Sequence, residues 1–324
     1  MPAIVLALGA VSAGCVLAAR RLSGAAWPRR SPAVAIALWQ ALGLSWGLAT
    51  VGALVGLGIG LGARAGSGPT WRVVESAAGR PAWLLTGAGG VAAGHWNLLS
   101  AVRALCLASG VALLAVLCWI LGAAVAAVLR ARHRQRQLLG LLAHGDPKVP
   151  GVLVVDHPAA TAYCVPGLRA SIVVSAGALD LLSAAELDAV LAHERAHLRE
   201  RHDLVLLPFA ALLRAFRWSG TARSANHHVA LLVEMLADDR ARRRGPAREL
   251  ATALLRVAAY GGGPAPAGAL AADTASAAEL TARVTRLLRP QPRLPVLLVV
   301  LAIAAAAILA LLPAAALLLP WGIP

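Results

Sequence analysis

Four stretches of this chain, residues 3–19, 33–62, 104–129 and 295–319, are apolar over lengths that few water-facing segments show. A helix of about 20 apolar residues crosses a hydrocarbon core about 30 Å thick, so each stretch reads as a membrane span. The second is longer than a crossing needs and has room to tilt. With 59% hydrophobic and 14% charged residues, the chain is excluded from the ordinary soluble class.

Charge is confined to the intervals between these stretches. Residues 130–293 hold 14 of the 15 acidic side chains, all but Glu75, and 22 of the 30 basic ones. That interval is the soluble part, and 22 − 14 leaves it only moderately basic. The chain's +15 comes from adding arginines that flank the spans, which set topology and meet anionic lipid. The bilayer is therefore an expected partner. No aromatic-and-basic stripe is present, so direct nucleic-acid binding is not expected.

The arginines also orient the chain. No charged side chain precedes the first stretch, which argues against a cleaved signal peptide, whereas Arg20, Arg21, Arg29 and Arg30 follow it at once. Arg130, Arg132, Arg134 and Arg136 follow the third. Both positions are cytoplasmic by the positive-inside rule, and both termini then lie outside. The expected organisation is an N-terminal membrane region over 1–129 with three spans, a cytoplasmic domain over 130–293, and a fourth span with a short C-terminus over 294–324. Cys15, Cys106 and Cys118 fall inside spans, so no disulfide framework is implied, and Cys164 reads as a half-buried strand residue.

Within the soluble interval, residues 135–144 read as a short helix, and 151–156, 161–164 and 171–175 as short strands between Pro and Gly breaks. Ser183 and Glu186 form an S-x-x-E capping box that starts a helix at Ala184. Residues 204–216 are too short to span and carry Pro208 and Arg214, which suits a core or interfacial helix. Helices over 224–244 and 247–260 follow, then the linker GGGPAPAGA at 261–269 and a second capping box, Ser276 with Glu279.

The first capped helix carries VLAHERAHLRERHD, with His193, Glu194 and His197 in the order H-E-x-x-H. Imidazoles four residues apart share one helical face and can bind one ion, while the glutamate between them reaches a metal-bound water. A catalytic zinc also needs a third protein ligand. Glu200 stands where a metzincin has its glycine, so Asp203 is not expected to return as that ligand, and His202, five past His197, reads as a surface histidine at the helix end. Downstream, LVEMLADDRA places Glu234 and Asp238 four apart. Glu234 suits the metal and Asp238 suits the outer nitrogen of a zinc-bound histidine. A solvated acidic face paired with Arg240, Arg242, Arg243 and Arg244 is the other reading, and Asp239 is assigned to those arginines. Candidates for a transition-state stabiliser are Tyr163, Asn226, His227 and His228, with His227 on the face of Glu234. The strand 171–175 is a candidate edge for an extended substrate.

The order AYCVPG, then IVVSAGALDLLSAAELDAVLAHERAHLRERHDL, then EMLADDRA, between a third and a fourth span, resembles the BlaR/MecR-type membrane zinc metallopeptidases, gluzincins related to the CAAX prenyl protease and heat-shock membrane protease families. The resemblance implies a mainly α, multi-pass protein of the bacterial plasma membrane with a cytoplasmic α+β zincin-like domain between spans three and four. It implies one Zn²⁺ per chain on His193, His197 and Glu234, with Glu194 as general base and Asp238 behind a ligand. The implied substrate is a protein or peptide, with BlaI/MecI-type transcriptional repressors cut by relatives. Antibiotic-sensing members carry a sensor domain after the last span, and this chain ends at Pro324, so such sensing is not expected. A quality-control protease of membrane proteins and a non-catalytic zinc-binding scaffold are the alternatives. A transporter would show ionisable residues inside the spans, where only Gln40 is notable.

Overall fold

The computed structural model describes residues 2–64, 98–145, 151–167, 170–260, 277–289, 291–292 and 294–318. The linker 261–269, Ser276 of the second capping box and most of the loop between the second and third apolar stretches lie outside them. The described chain is mostly helical, with one small sheet. In order it forms α1 (Pro2–Gly24), a 3₁₀ turn (Trp27–Arg30), α2 (Pro32–Arg64), α3 (Leu98–Leu142), β1 (Ala143–Gly145), β2 (Leu153–Val155), β3 (Ala162–Val165) and β4 (Ser171–Ser175). There follow α4 (Ala176–Leu181), α5 (Ala184–Arg199), α6 (His202–Ala215), α7 (Gly220–Ala241), α8 (Ala247–Ala259), α9 (Ala277–Leu288) and α10 (Val296–Leu318).

Four of these helices, α1, α2, α3 and α10, are long and apolar enough to cross a membrane by length and composition. α3 and α10 leave large apolar side chains such as Leu105, Val111, Trp119, Leu297 and Leu311 exposed, the pattern of a helix that is hydrophobic all round.

The chain divides into two compact units. The first comprises Met1–Leu22, Leu38–Trp119 and Leu301–Pro324. There Ser12 and Thr50 join α1 to α2 through their hydroxyls at 2.7 Å, and Thr50 also donates to the Trp46 carbonyl at 2.7 Å. Gly58 and Gly110 let α2 and α3 approach closely, since a Cβ would lie 2.6 Å from Leu107 at the first and 2.8 Å from Val55 at the second.

The second unit comprises Ser23–Ala37 and Ile120–Val300. Its sheet has the order β1-β2-β4-β3, with β2 and β4 parallel and the outer pairs antiparallel. Strand alternation divides the side chains. Cys164, Ile172 and Val174 face one core with Leu191 of α5, while Tyr163, Val165 and Val173 face another with Leu139 of α3. A third cluster, Ala189, Ala192, Ala241, Leu250, Ala251 and Leu287, joins α5, α7, α8 and α9 through mostly small residues.

Three readings of the sequence are corrected. Residues 135–142 are no separate helix but the end of α3, because no helix breaker separates them from the arginine run, and β1 follows directly. Strand 171–175 is interior, not an edge, because β2 and β3 flank it on both sides. His202 is fully buried rather than a surface residue, because the chain reverses at Arg201 and starts α6 with His202 and Asp203 facing inward.

Candidate metal centre

α5 starts where its cap dictates. The Ser183 N–H donates to Glu186 Oε2 at 2.9 Å, and the Glu186 N–H donates to Ser183 Oγ at 3.3 Å. Arg256 of α8 donates to the same Glu186 oxygen at 3.0 Å, fixing the cap. With Leu187, Leu191 and Leu198 turned to the sheet, His193 and His197 meet α7. α7 starts on a Ser219 cap, its buried Val229, Leu232, Val233 and Met235 pack inward, and Glu234 and Asp238 come up one turn apart.

His193, His197 and Glu234 offer ligand atoms that all lie within 4.8 Å of one another. The two Nε2 atoms are 3.0 Å apart. Glu234 reaches both, Oε2 at 3.4 Å from His193 Nε2 and Oε1 at 3.5 Å from His197 Nε2. A tetrahedral zinc with bonds of about 2.0–2.1 Å has its ligand atoms about 3.3 Å apart, so these separations suit it. Three carboxyl groups, Glu194, Glu234 and Asp238, face the single guanidinium of Arg283, an excess of acidic groups that suits a cation. Glu194 Oε2 is buried with no hydrogen-bond partner among the described residues, a lone acceptor of the kind a ligand or water satisfies.

The surroundings sort these groups electrostatically. Burial raises Glu194 to about 7. Burial works the same way on Glu234, but the charges of Arg283 and His197 and the contact with His193 hold its carboxyl well below the usual range. Asp238 is likewise lowered to about 2, burial being outweighed by Arg283 and His193. Burial disfavours a charged His193, yet Asp238 and Glu234 together raise it to about 10, whereas burial carries His197 down to about 3. The Cys164 thiol, buried beside Glu194, is pushed well above its ordinary value by desolvation and by that carboxylate.

Arg283 of α9 is the residue that motif reading missed. Only 2% exposed, it donates through Nε to Asp238 Oδ2 at 2.9 Å and through Nη2 to Asp238 Oδ1 at 2.8 Å, and its Nη1 lies 3.0 Å from Glu234 Oε2. Asp238 Oδ1 in turn lies 3.0 Å from His193 Nδ1. Two turns of one helix are thus clamped by one fork-shaped cation. A signal for it was present, since Arg283 interrupts the stripe of α9 that includes the half-buried Leu280 and buried Leu287. One turn on, Arg286 grips Asp239 at 2.8 and 2.6 Å and donates to the Arg29 carbonyl at 2.7 Å, while Arg242 stands 3.7 Å from Asp239.

His227 lies 3.1 Å from Glu279 with its side chain 55% exposed. His228 contacts the Ser224 carbonyl at 2.8 Å, and Asn226 is half-buried on the same helix. Tyr163 packs with Leu139 on the sheet face opposite the one α5 covers, because it alternates with Cys164, and burial raises its phenol.

No curated protein and no solved structure matches the chain. A family model does match, over a stretch from the end of α3 through the sheet and α5 to most of α7, so it includes His193, Glu194, His197 and Glu234 and stops one residue before Asp238. That model is Peptidase family M48, and its match to residues 128–237 supports a zinc metallopeptidase of that family.

Proposed function

We propose that the chain is a membrane-embedded zinc metalloendopeptidase of bacterial type, anchored by four spans, with its peptidase domain in the cytoplasm and both termini outside. The observation that carries this reading is the convergence of Glu234 on two facing imidazole nitrogens, with a free Glu194 oxygen buried alongside. Membrane embedding is supported by four helices of spanning length and by the arginines that follow the first and third.

His193, His197 and Glu234 would hold the metal. A zinc ion held there would supply Lewis acidity, lowering the pKa of a water and polarising a carbonyl. Glu194 accepts the proton of the attacking water and delivers it to the leaving amine. Burial raises Glu194 in the metal-free site, opposing the downward pull that a bound dication would exert on it. Asp238 Oδ1, 3.0 Å from His193 Nδ1, stands where it would accept that nitrogen's hydrogen once Nε2 is turned to a metal, and Arg283 keeps Asp238 and Glu234 ionised. β3, an outer strand whose Cys164 side faces α5, has one edge that pairs with no other strand among the described residues and offers it to an extended peptide.

The substrate class we propose is a cytosolic BlaI/MecI-type repressor, on the strength of the sequence resemblance. Full-length Glu194→Gln protein should retain zinc while its proteolysis falls by about 10²- to 10⁴-fold, the usual contribution of a positioned base. Undiminished cleavage by that variant removes the enzymatic reading. Comparing cellular proteins between wild type and Glu194→Gln then tests the substrate: a repressor fragment should appear only with the wild type, and repressor cut equally in both rules it out.

A further inference from the structure

The second metal-binding histidine has a partner of its own in a residue no motif assigns. His202 is 1% exposed, and its Nδ1 lies 3.1 Å from Nδ1 of His197, with the two rings edge to face at a centroid distance of 4.8 Å. Two nitrogens at that distance share one hydrogen. A His197 that binds metal through Nε2 carries its hydrogen on Nδ1, so it donates and His202 accepts. His202 then carries its own hydrogen on Nε2. That atom is buried with no hydrogen bond among the described residues, but the nearest carboxylate, Glu200 Oε2, stands 3.6 Å away and favours this tautomer. Glu200 is itself held by Arg240.

The backbone is bent to make this contact. Arg201, between α5 and α6, has φ 50° and ψ 46°, the left-handed conformation, and is the one described non-glycine residue with positive φ. That conformation is unfavourable for any residue with a Cβ and persists where its surroundings enforce it. Here the enforcing group is Asp203, whose Oδ2 accepts from Arg132 of α3 at 2.9 Å, both side chains being largely buried. Had α5 continued straight, residue 202 would leave the face of His197. The reversal returns it beneath the ring.

We propose that His202 is a positioning residue for the metal centre, accepting the Nδ1 hydrogen of His197 and fixing that ring's tautomer and direction, with the Arg132–Asp203 pair holding the turn that presents it. The inference rests on the metallopeptidase reading. It assigns to His197 an imidazole in the place that Asp238 fills for His193.

The test is zinc affinity, read by chelator competition on full-length purified protein, with visible spectra of the cobalt-substituted forms. His202→Phe keeps an aromatic ring and loses the acceptor, so affinity should fall by about 10- to 100-fold and the cobalt bands should shift. His202→Gln, whose side-chain carbonyl can accept the same hydrogen, should recover most of both. Equal zinc affinity in wild type and His202→Phe overturns the inference, as do equal losses in Phe and Gln, which mark a packing role only. Where His202→Phe does not fold, Glu200→Met takes its place: with no acceptor left beside His202 Nε2 it should weaken zinc severalfold by releasing the His202 tautomer, and unchanged affinity overturns the inference. A wild type that binds no zinc at all brings down the metallopeptidase reading itself, a result distinguishable from each of these.

Discussion

His193 and His197 are four residues apart on α5, yet opposite chemistry stands behind them. Behind His193 are charges: Asp238 at 3.0 Å, and behind Asp238 the buried guanidinium of Arg283, which also reaches Glu234. Behind His197 is a neutral ring, His202, presented by a strained turn. The first support is assembled over long range, from α5, α7 and α9; in the second the contacting ring comes from five residues past His197, and only the turn that presents it is held from a distance, by Arg132. A buried charge that loses its partner is far more costly than a buried ring that loses a hydrogen bond. The His193 side should therefore respond to mutation in stability as well as metal binding, and the His197 side in metal binding alone.

The largest effect should come from Arg283→Met. It strands Asp238 and Glu234 as buried carboxylates without their cation, and breaking such a pair costs about 3–5 kcal/mol. Denaturant unfolding of the metal-free protein reads this directly, and adding Asp238→Asn to the same chain should return part of the loss, as coupled neighbours do. A single variant as stable as wild type would break the contrast between the two sides. Asp238→Asn alone should weaken zinc by about 10- to 100-fold, the usual effect of removing the group behind a ligand, with a smaller stability loss than Arg283→Met.

Next in size is the proton linkage. In the metal-free site His193 is raised to about 10 and His197 lowered to about 3, so at neutral pH the proton that zinc must displace sits on His193. Zinc affinity should then rise with pH, by up to about tenfold per unit while one proton is released, and level off above the His193 value. Calorimetry in buffers of different ionisation enthalpy should count at least one proton released per zinc at pH 7, one from His193 and a further part from Glu194. Release of none would place His193 on the neutral side with His197 and erase the asymmetry. The smallest effect belongs to Ser183→Ala: loss of the helix cap should cost about 1 kcal/mol of stability, and zinc affinity should stay as it was, since the cap lies more than two turns before His193.

Sequence legibility followed the same division. H-E-x-x-H and E-x-x-x-D are visible because each lies within one helix, where spacing of four fixes a shared face, and the Ser183 cap announced the first helix independently. Arg283 has no such pattern. It meets Asp238 across 45 residues, and only packing of α9 onto α7 brings them together. His202 was misread because extrapolating α5 past Glu200 assumes helical phase, and the left-handed Arg201 breaks it. β4 was misplaced because strand order depends on the parallel crossover from β2, which no local residue encodes. That Tyr163 lies on the sheet face away from α5 follows from alternation alone, once Cys164 is assigned to the α5 side.

The central claim is that His193, His197 and Glu234 form one zinc site, and metal content tests it most directly. Full-length protein purified without added metal and analysed by mass spectrometry should carry about one zinc per chain, retained in Glu194→Gln and largely lost in His193→Ala, His197→Ala and Glu234→Ala. Zinc absent from the wild type, or present equally in the three alanine variants, would contradict it.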